Sequence, residues 1–477
     1  MKFPSRLLML RTLALTIGFA LFAPKAGSQP DDTKYPVWPS AVANDLRQNQ
    51  KGRLQGIPEA EIPAVRAKFK TMAEYFAAIV AHPATWKTSQ DLKAKAPNDG
   101  RMALEGDNGV FAELDRFLLE PVLGGTRVGR DQTVYIHEFG AALDAAFAQL
   151  FTHDEQIVRI NAARVYAHFA RTGAPAHYPT ITKILANPEA PTELKYYLFQ
   201  AAAALLAAPD VTELETRKHS GSPEAVGALV KALMDCVTEP AMLLPGFKRE
   251  SATPEQLSVI GMVRRQAVRA LAQVKFVKIP GPDGKTPLYP VYPLVRVAMS
   301  DPNLLPAPTP AEVAEAAIGI MNMAPIEFRV NRFVKVTEYN VDVAIEAITQ
   351  ALITFATPRA ANANDRSIPW RNYALRLAEA MFKWRTLFTT DYDPKQPTKF
   401  DPAAIPPLFK ELYDEAIPKV LARIEKVDAT GRPGVEPVEV GVLRNLLKKM
   451  QANPQRKTVL IEGLPETTIL FPAPAKK

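Results

Sequence analysis

The chain has 477 residues, more than one compact core usually supports, so several domains or one elongated repeat array are expected. With 47% hydrophobic and 23% charged residues it is not intrinsically disordered. Its net charge of +8 shrinks to +4 once Lys2, Arg6, Arg11 and Lys25 of the first 28 residues are set aside, too weak a surplus to argue for nucleic acid.

Those first 28 residues read as a secretory signal peptide: three early cations, an apolar run from Leu13 to Ala23, then the small residues Ala26-Gly27-Ser28. Export to the periplasm or cell envelope is therefore expected, and a membrane is a partner only if the segment is retained. Residues 29–57 are polar and proline-bearing and read as a linker. Residues 58–135 form an amino-terminal helical region. Its strongest helix covers 59–81, where Ile62, Val65, Phe69, Met72, Phe76, Ile79 and Val80 fall at three- and four-residue steps.

From 136 to 452 the chain settles into paired helices: 138–151 with 156–171, 176–186 with 192–207, and 223–237 with 255–275. Three more pairs follow: 289–300 with 310–323, 340–356 with 368–388, and a looser 404–427 with 437–451. The 43 prolines fit as punctuation of helix starts and interhelical loops. Residues 453–477 form an extended tail whose two apolar runs, around Gly463 and Pro465, suggest a small hairpin or capping strand. Cys236 is the only cysteine, so no intrachain disulfide exists, and its helical apolar setting marks it as a small hydrophobe.

One motif recurs on the second helix of the pairs. Arg159-Ile160-Asn161-Ala162-Ala163-Arg164 returns as Arg264-Arg265-Gln266-Ala267-Val268-Arg269 and as Arg371-Asn372-Tyr373-Ala374-Leu375-Arg376, at steps of 105 and 107 residues. A degenerate copy, Lys195 to Gln200, begins 36 residues after the first. A period of about 35 residues is the mark of a solenoid, in which each unit buries its apolar stripe against its neighbours. Val158, Ala162, Val165 and Phe169 form such a stripe, with Arg159 on its shoulder and Arg164 directed to solvent; the arginine stems are expected to cover apolar edges while their heads stay wet.

With Asp154 ahead of Val158-Arg159, and Val263-Arg264 opening a later second helix, these hairpins resemble HEAT repeats, and more broadly the helical units of HEAT and armadillo proteins. The resemblance covers roughly 136–390, extends more loosely to 404–451, and implies an all-α solenoid of HEAT-like hairpins with an amino-terminal helical cap. It implies a non-enzymatic, protein-binding scaffold whose partner it does not name. The turn Asp is not regularly placed in the other units, so no Asp–Arg ladder is expected along the whole array.

Motifs for chemistry are sparse. Gly281-Pro282-Asp283-Gly284-Lys285-Thr286 ends like a phosphate-binding loop, but Ile279 stands where that loop needs glycine, so a tight turn is expected. No nucleotide, haem or nucleophile-elbow fingerprint is present, and no cofactor is expected. The glycine-rich stretch 124–130 reads as a flexible turn. His137, His153 and Asp154 are the alternative: a metal-binding or enzymatic site, though His-Glu-x-x-His fails because Ala141 stands at the second position. An aromatic group, Trp370, Tyr373, Phe382, Trp384 and Phe388, lies on one helix with Arg371 and Arg376. Trp370, Arg371, Tyr373 and Arg376 are the candidate partner-binding residues, set against the reading, which is favoured, in which this helix packs its aromatics into a terminal core.

Overall fold

A computed structural model describes residues 35–50, 62–85, 102–105, 109–119, 130–208, 221–329, 332–362, 368–389, 405–425 and 437–468. The chain divides into Met1–Val37 and Trp38–Lys477. The expected signal peptide lies outside the described residues, and everything below concerns the second unit.

Three helices open that unit: α1 (Ser40–Gln50), α2 (Ile62–Ala81) and α3 (Val110–Leu114), the last running on as a π-turn through Leu119. Helix α1 falls in the segment read as a linker. It forms because Ala43 and Leu46, one turn apart, are fully buried. Lys68 pairs with Asp45 at 2.5 Å and Arg47 with Glu113 at 2.7 Å. Trp38 meets Tyr75 and Phe76 of α2 edge-on and reaches Phe117. Helix α2 lies along α4 (Arg130–Leu150), with Phe69 stacked on Phe139 at 5.2 Å and Arg66 forked onto Glu138.

From α4 onward the helices come in the predicted pairs. They are α4 with α5 (Gln156–Phe169), α6 (His177–Leu185) with α7 (Thr192–Ala207), and α8 (Pro223–Thr238) with α9 (Pro254–Leu271). Then come α10 (Val291–Ala298) with α11 (Pro310–Asn322), and α12 (Val341–Ala361) with α13 (Trp370–Thr389). The last unit is α14 (Pro407–Ala416), a π-turn to Leu421, α15 (Ala422–Glu425) and α16 (Pro437–Gln451).

First helices stack on first helices, α4 to α6 to α8 to α10 to α12, and second helices on second helices, α5 to α7 to α9 to α11 to α13. This is an all-α, solenoid-like helical-repeat fold in two layers. The starts of the second helices are set by local chemistry. Thr253 and Thr309 each accept the backbone N–H three residues on, while Gln256 and Glu312 return a side chain to the cap, with Pro254 and Pro310 at the first helical position.

Helix α11 occupies the centre. Every residue from Ala311 to Met321 is buried, including Glu312 and Glu315. A helix apolar on all sides must be enclosed on all sides, and α9, α10, α12 and α13 enclose it. Two β-hairpins interrupt the helical pattern. In the first, Ile279 pairs with Leu288 and Pro280 with Pro287 around the expected tight turn, where Asp283 accepts from the Lys285 and Thr286 N–H groups and from the Thr286 hydroxyl, and Gly284 has φ +66°. The second, Ile326–Arg329 with Arg332–Lys335, joins α11 to α12 and was not anticipated. The tail folds back on the array. The Asn340 N–H donates to Leu460 O at 2.8 Å, Arg456 to both oxygens of Glu346 at 3.0 Å, and Val459 bridges Thr468 as in the expected hairpin.

Candidate interaction surface

In three of the four copies the first basic residue of the repeated motif is a staple between units; Arg371, in the remaining copy, is exposed. Arg159 donates to the carbonyls of His153 (2.6 Å) and Asp154 (2.9 Å) in its own turn and lies 3.8 Å from Glu193 at the start of α7. Lys195, wholly enclosed, donates to Pro188 O in its own turn (3.2 Å) and to Met242 O in the next unit (2.7 Å). Desolvation holds its ammonium below the usual lysine range. Arg264 donates from Nε to Glu312 of α11 at 2.7 Å, both side chains buried. The expectation of wet arginine heads fails here, because the next unit closes over them. Backbone carbonyls and glutamates, not turn aspartates, are the partners.

The second arginine varies. Arg164, expected in solvent, reaches Glu105 and Asn161. Arg376 forks onto Glu315 at 2.7 and 2.6 Å and lies over the Tyr373 ring. Arg269 is exposed.

The four candidate residues therefore separate. Trp370 and Tyr373 are 5% and 7% exposed and pack on Phe355 of α12, ring centroids 5.2 and 6.3 Å apart. They are core residues and present no binding side chain. Arg376 is held by Glu315, and Arg371 is exposed. What α13 turns outward is a different pair, Leu375 and Phe382, 47% and 56% exposed, with Met262 of α9 at 49%. Leu375 was missed although its signal was present: Trp370, Tyr373, Leu377, Met381 and Trp384 make the buried three- and four-residue stripe, and residues 375 and 382 fall off it.

His137, His153 and Asp154 do not converge. His137 lies in the first third of α4, whereas His153 and Asp154 follow its end, about 20 Å further along the helix axis. His153 Nδ1 accepts the Glu155 N–H at 3.1 Å. Among the described residues no three His, Cys, Asp or Glu side chains gather to hold a metal ion. The glycine-rich stretch 124–129 lies outside the described residues.

A buried polar network not foreseen from sequence joins α4, α5 and α6. Tyr166 donates to Asp144, Thr180 donates to the other Asp144 oxygen at 2.8 Å, and His177 Nδ1 lies 3.3 Å from both Tyr166 Oη and Asp144 Oδ1. Burial, then the Asp144 charge, pushes the Tyr166 phenol well above its ordinary range. Tyr166 and His177 are both at 0% exposure, and the network ties the three helices together. Between α2 and α4 runs a groove of about 360 Å³ walled by alanines such as Ala78, Ala142 and Ala145. No helix of the described residues is long and apolar enough to cross a membrane.

No protein-family model matches the chain, and no curated protein matches it. Among solved structures, an engineered protein from the Northeast Structural Genomics Consortium aligns over 90% of this chain and 93% of its own at 15% identity, with a TM-score of 0.28. That likeness carries no argument about fold or function.

Proposed function

We propose that the protein is a non-enzymatic, HEAT-like repeat scaffold, exported to the periplasm or cell envelope by residues 1–28, that binds a protein partner on its second-helix layer. The observation that carries it is the exposure of Leu375, Phe382 and Met262 on a layer in which Arg159, Lys195 and Arg264 are taken up by packing. Apolar side chains left out of a core on a repeat array are what a partner buries. The HEAT affinity draws on Asp154 ahead of Val158-Arg159 at the start of α5; Val263-Arg264, by contrast, lies in the middle of α9.

The test is affinity capture of the tagged full-length protein from its own envelope fraction, beside a Leu375→Ser/Phe382→Ser variant. A stoichiometric partner that the variant loses supports the scaffold role; retention of the partner by the variant moves the site elsewhere, and no partner at all refutes the role. Mass measurement of the mature amino terminus tests export: a chain beginning after residue 28 is expected, and an intact one from cytoplasm refutes it.

A further inference from the structure

The platform formed by α9 and α13 has a chemistry that specifies its occupant. Glu312 and Glu315 are one turn apart and so share a face of α11. Arg264 reaches that face from α9 and Arg376 reaches it from α13, at 2.7 Å and 2.6 Å. Both outer helices are thus anchored to one face of α11, and α10 and α12 complete its enclosure. Arg265 of α9 comes near enough to Tyr373 of α13 for its charge to act on the phenol.

On this platform Met262, Arg265 and Arg269 fall at three- and four-residue steps, hence on one side of α9. Leu375 and Phe382, seven residues apart, lie about 10 Å apart along α13. Of the four large hydrophobic side chains exposed among the described residues, three are these: Met262, Leu375 and Phe382. The charge framing them is positive. Arg265 and Arg269 have no ion-pair partner among the described residues, and Glu379, which lies between the two anchors on the exposed side of α13, is taken by Lys383 at 2.7 Å.

We propose that the α9–α13 platform seats one acidic amphipathic helix of a partner protein, whose apolar stripe covers Leu375 and Phe382 and whose carboxylates meet Arg265 and Arg269. The assignment rests on the scaffold role proposed above. Two apolar anchors at a seven-residue step match the stripe of a helix laid along α13. A phosphate backbone would satisfy the arginines and leave the apolar anchors wet.

Fluorescence anisotropy of the full-length protein with two labelled synthetic helices tests it. The probes share one leucine stripe and differ only in carrying glutamate or lysine elsewhere. The glutamate helix is expected to bind about tenfold tighter or better, with the preference shrinking in high salt. R265E/R269E is expected to reverse the preference, and F382S to weaken the glutamate helix by about tenfold. Thermal melts control for folding. Equal affinity for the two probes, no binding by either, or indifference to R265E/R269E overturns the assignment. So does binding to anionic phospholipid vesicles that R265E/R269E abolishes, which would give the platform to a membrane surface. A photo-crosslinker in place of Phe382, used in the producing cell, separates this inference from the scaffold role. A crosslink to an acidic amphipathic segment supports both. A crosslink to a segment without acidic residues overturns the inference and leaves the scaffold role standing. No crosslink from position 382 or from Tyr197 on α7 sinks both.

Discussion

The ion pair between Arg264 and Glu312 makes the sharpest energetic prediction. Both side chains are buried, at 2% and 0% exposure, with Nε 2.7 Å from Oε1. The other Glu312 oxygen accepts from the Thr309 N–H at 2.8 Å and from its hydroxyl at 2.9 Å, so the carboxylate is fully engaged. On the arginine side Nη2 is buried without a partner. Arg264→Met leaves a desolvated carboxylate with one oxygen empty, and Glu312→Gln leaves a desolvated guanidinium facing an amide. Breaking a buried pair from one side costs about 3–5 kcal/mol, because the surviving charge has neither water nor counter-ion.

Removing both charges is another matter. In the double variant the glutamine oxygen still accepts from Thr309, no charge is buried, and methionine fills much of the arginine stem's volume. Its cost is about 1–3 kcal/mol, far below the roughly 6–10 kcal/mol that two independent losses would sum to. Urea unfolding supplies the total, and hydrogen exchange resolved to α9 and α11 places the effect, since repeat arrays open in sections. Single variants costing under about 1 kcal/mol, or a double variant costing their sum, would refute the reasoning.

Four further outcomes follow from individual sites. A methyl at Gly319 would sit 2.7 Å from Leu294 Cδ1 and 2.8 Å from Ala272 Cα, so Gly319→Ala should cost about 1–3 kcal/mol by urea unfolding. Gly441, inside α16 with nothing within 4 Å of its added Cβ, should gain about 0.5–1 kcal/mol as alanine in the same assay. Burial pushes the Cys236 thiol up to about 12, so a thiol reagent at pH 8 should label it only as fast as the protein opens; immediate labelling would contradict its burial. Desolvation lowers the His168 pKa despite Asp115 at 2.7 Å. The unfolded chain then binds the proton first, and stability falls as pH drops below about 6.5 towards the lower folded-state value. His168→Gln should flatten that part of the stability curve, and an unchanged curve would exclude His168 as its source.

The helix pairs were legible because their starts are chemically marked and their stripes regular. Thr253-Pro254 and Thr309-Pro310 announce second helices to within a residue. Helix α1 escaped notice because over residues 40–47 only Ala43 and Leu46 are buried, too few for a period to show. The hairpin at 326–335 carries a two-residue alternation, Ile-Glu-Phe-Arg and Arg-Phe-Val-Lys, that the surrounding helical rhythm masked. For Trp370 and Tyr373 the sequence left the core and the partner-binding readings side by side, because the group that buries them, Phe355, belongs to the preceding helix. A stripe tells which side of a helix is buried only when the whole helix is counted. Counted that way, Leu375 and Phe382 stand outside the buried set.

The repeated motif also bears on where function lies in this array. At its first position Arg159, Lys195 and Arg264 differ in chemistry and in partner, yet each closes a contact at a turn or with the next second helix, whereas Arg371 of the remaining copy is exposed. What recurs is therefore a packing requirement: a long cation whose stem fills the joint and whose head ends on whatever acceptor the next unit brings. A residue used in that way is unavailable to a partner, because taking it out of the joint would open the array. Selectivity for a partner has to come from positions the repeat leaves unassigned. Arg269 is such a position: its counterparts Arg164 and Arg376 are both paired, whereas it stands exposed beside Arg265 on the helix that carries Met262. The break in the repeat, more than the repeat itself, marks the surface on which this protein is distinct.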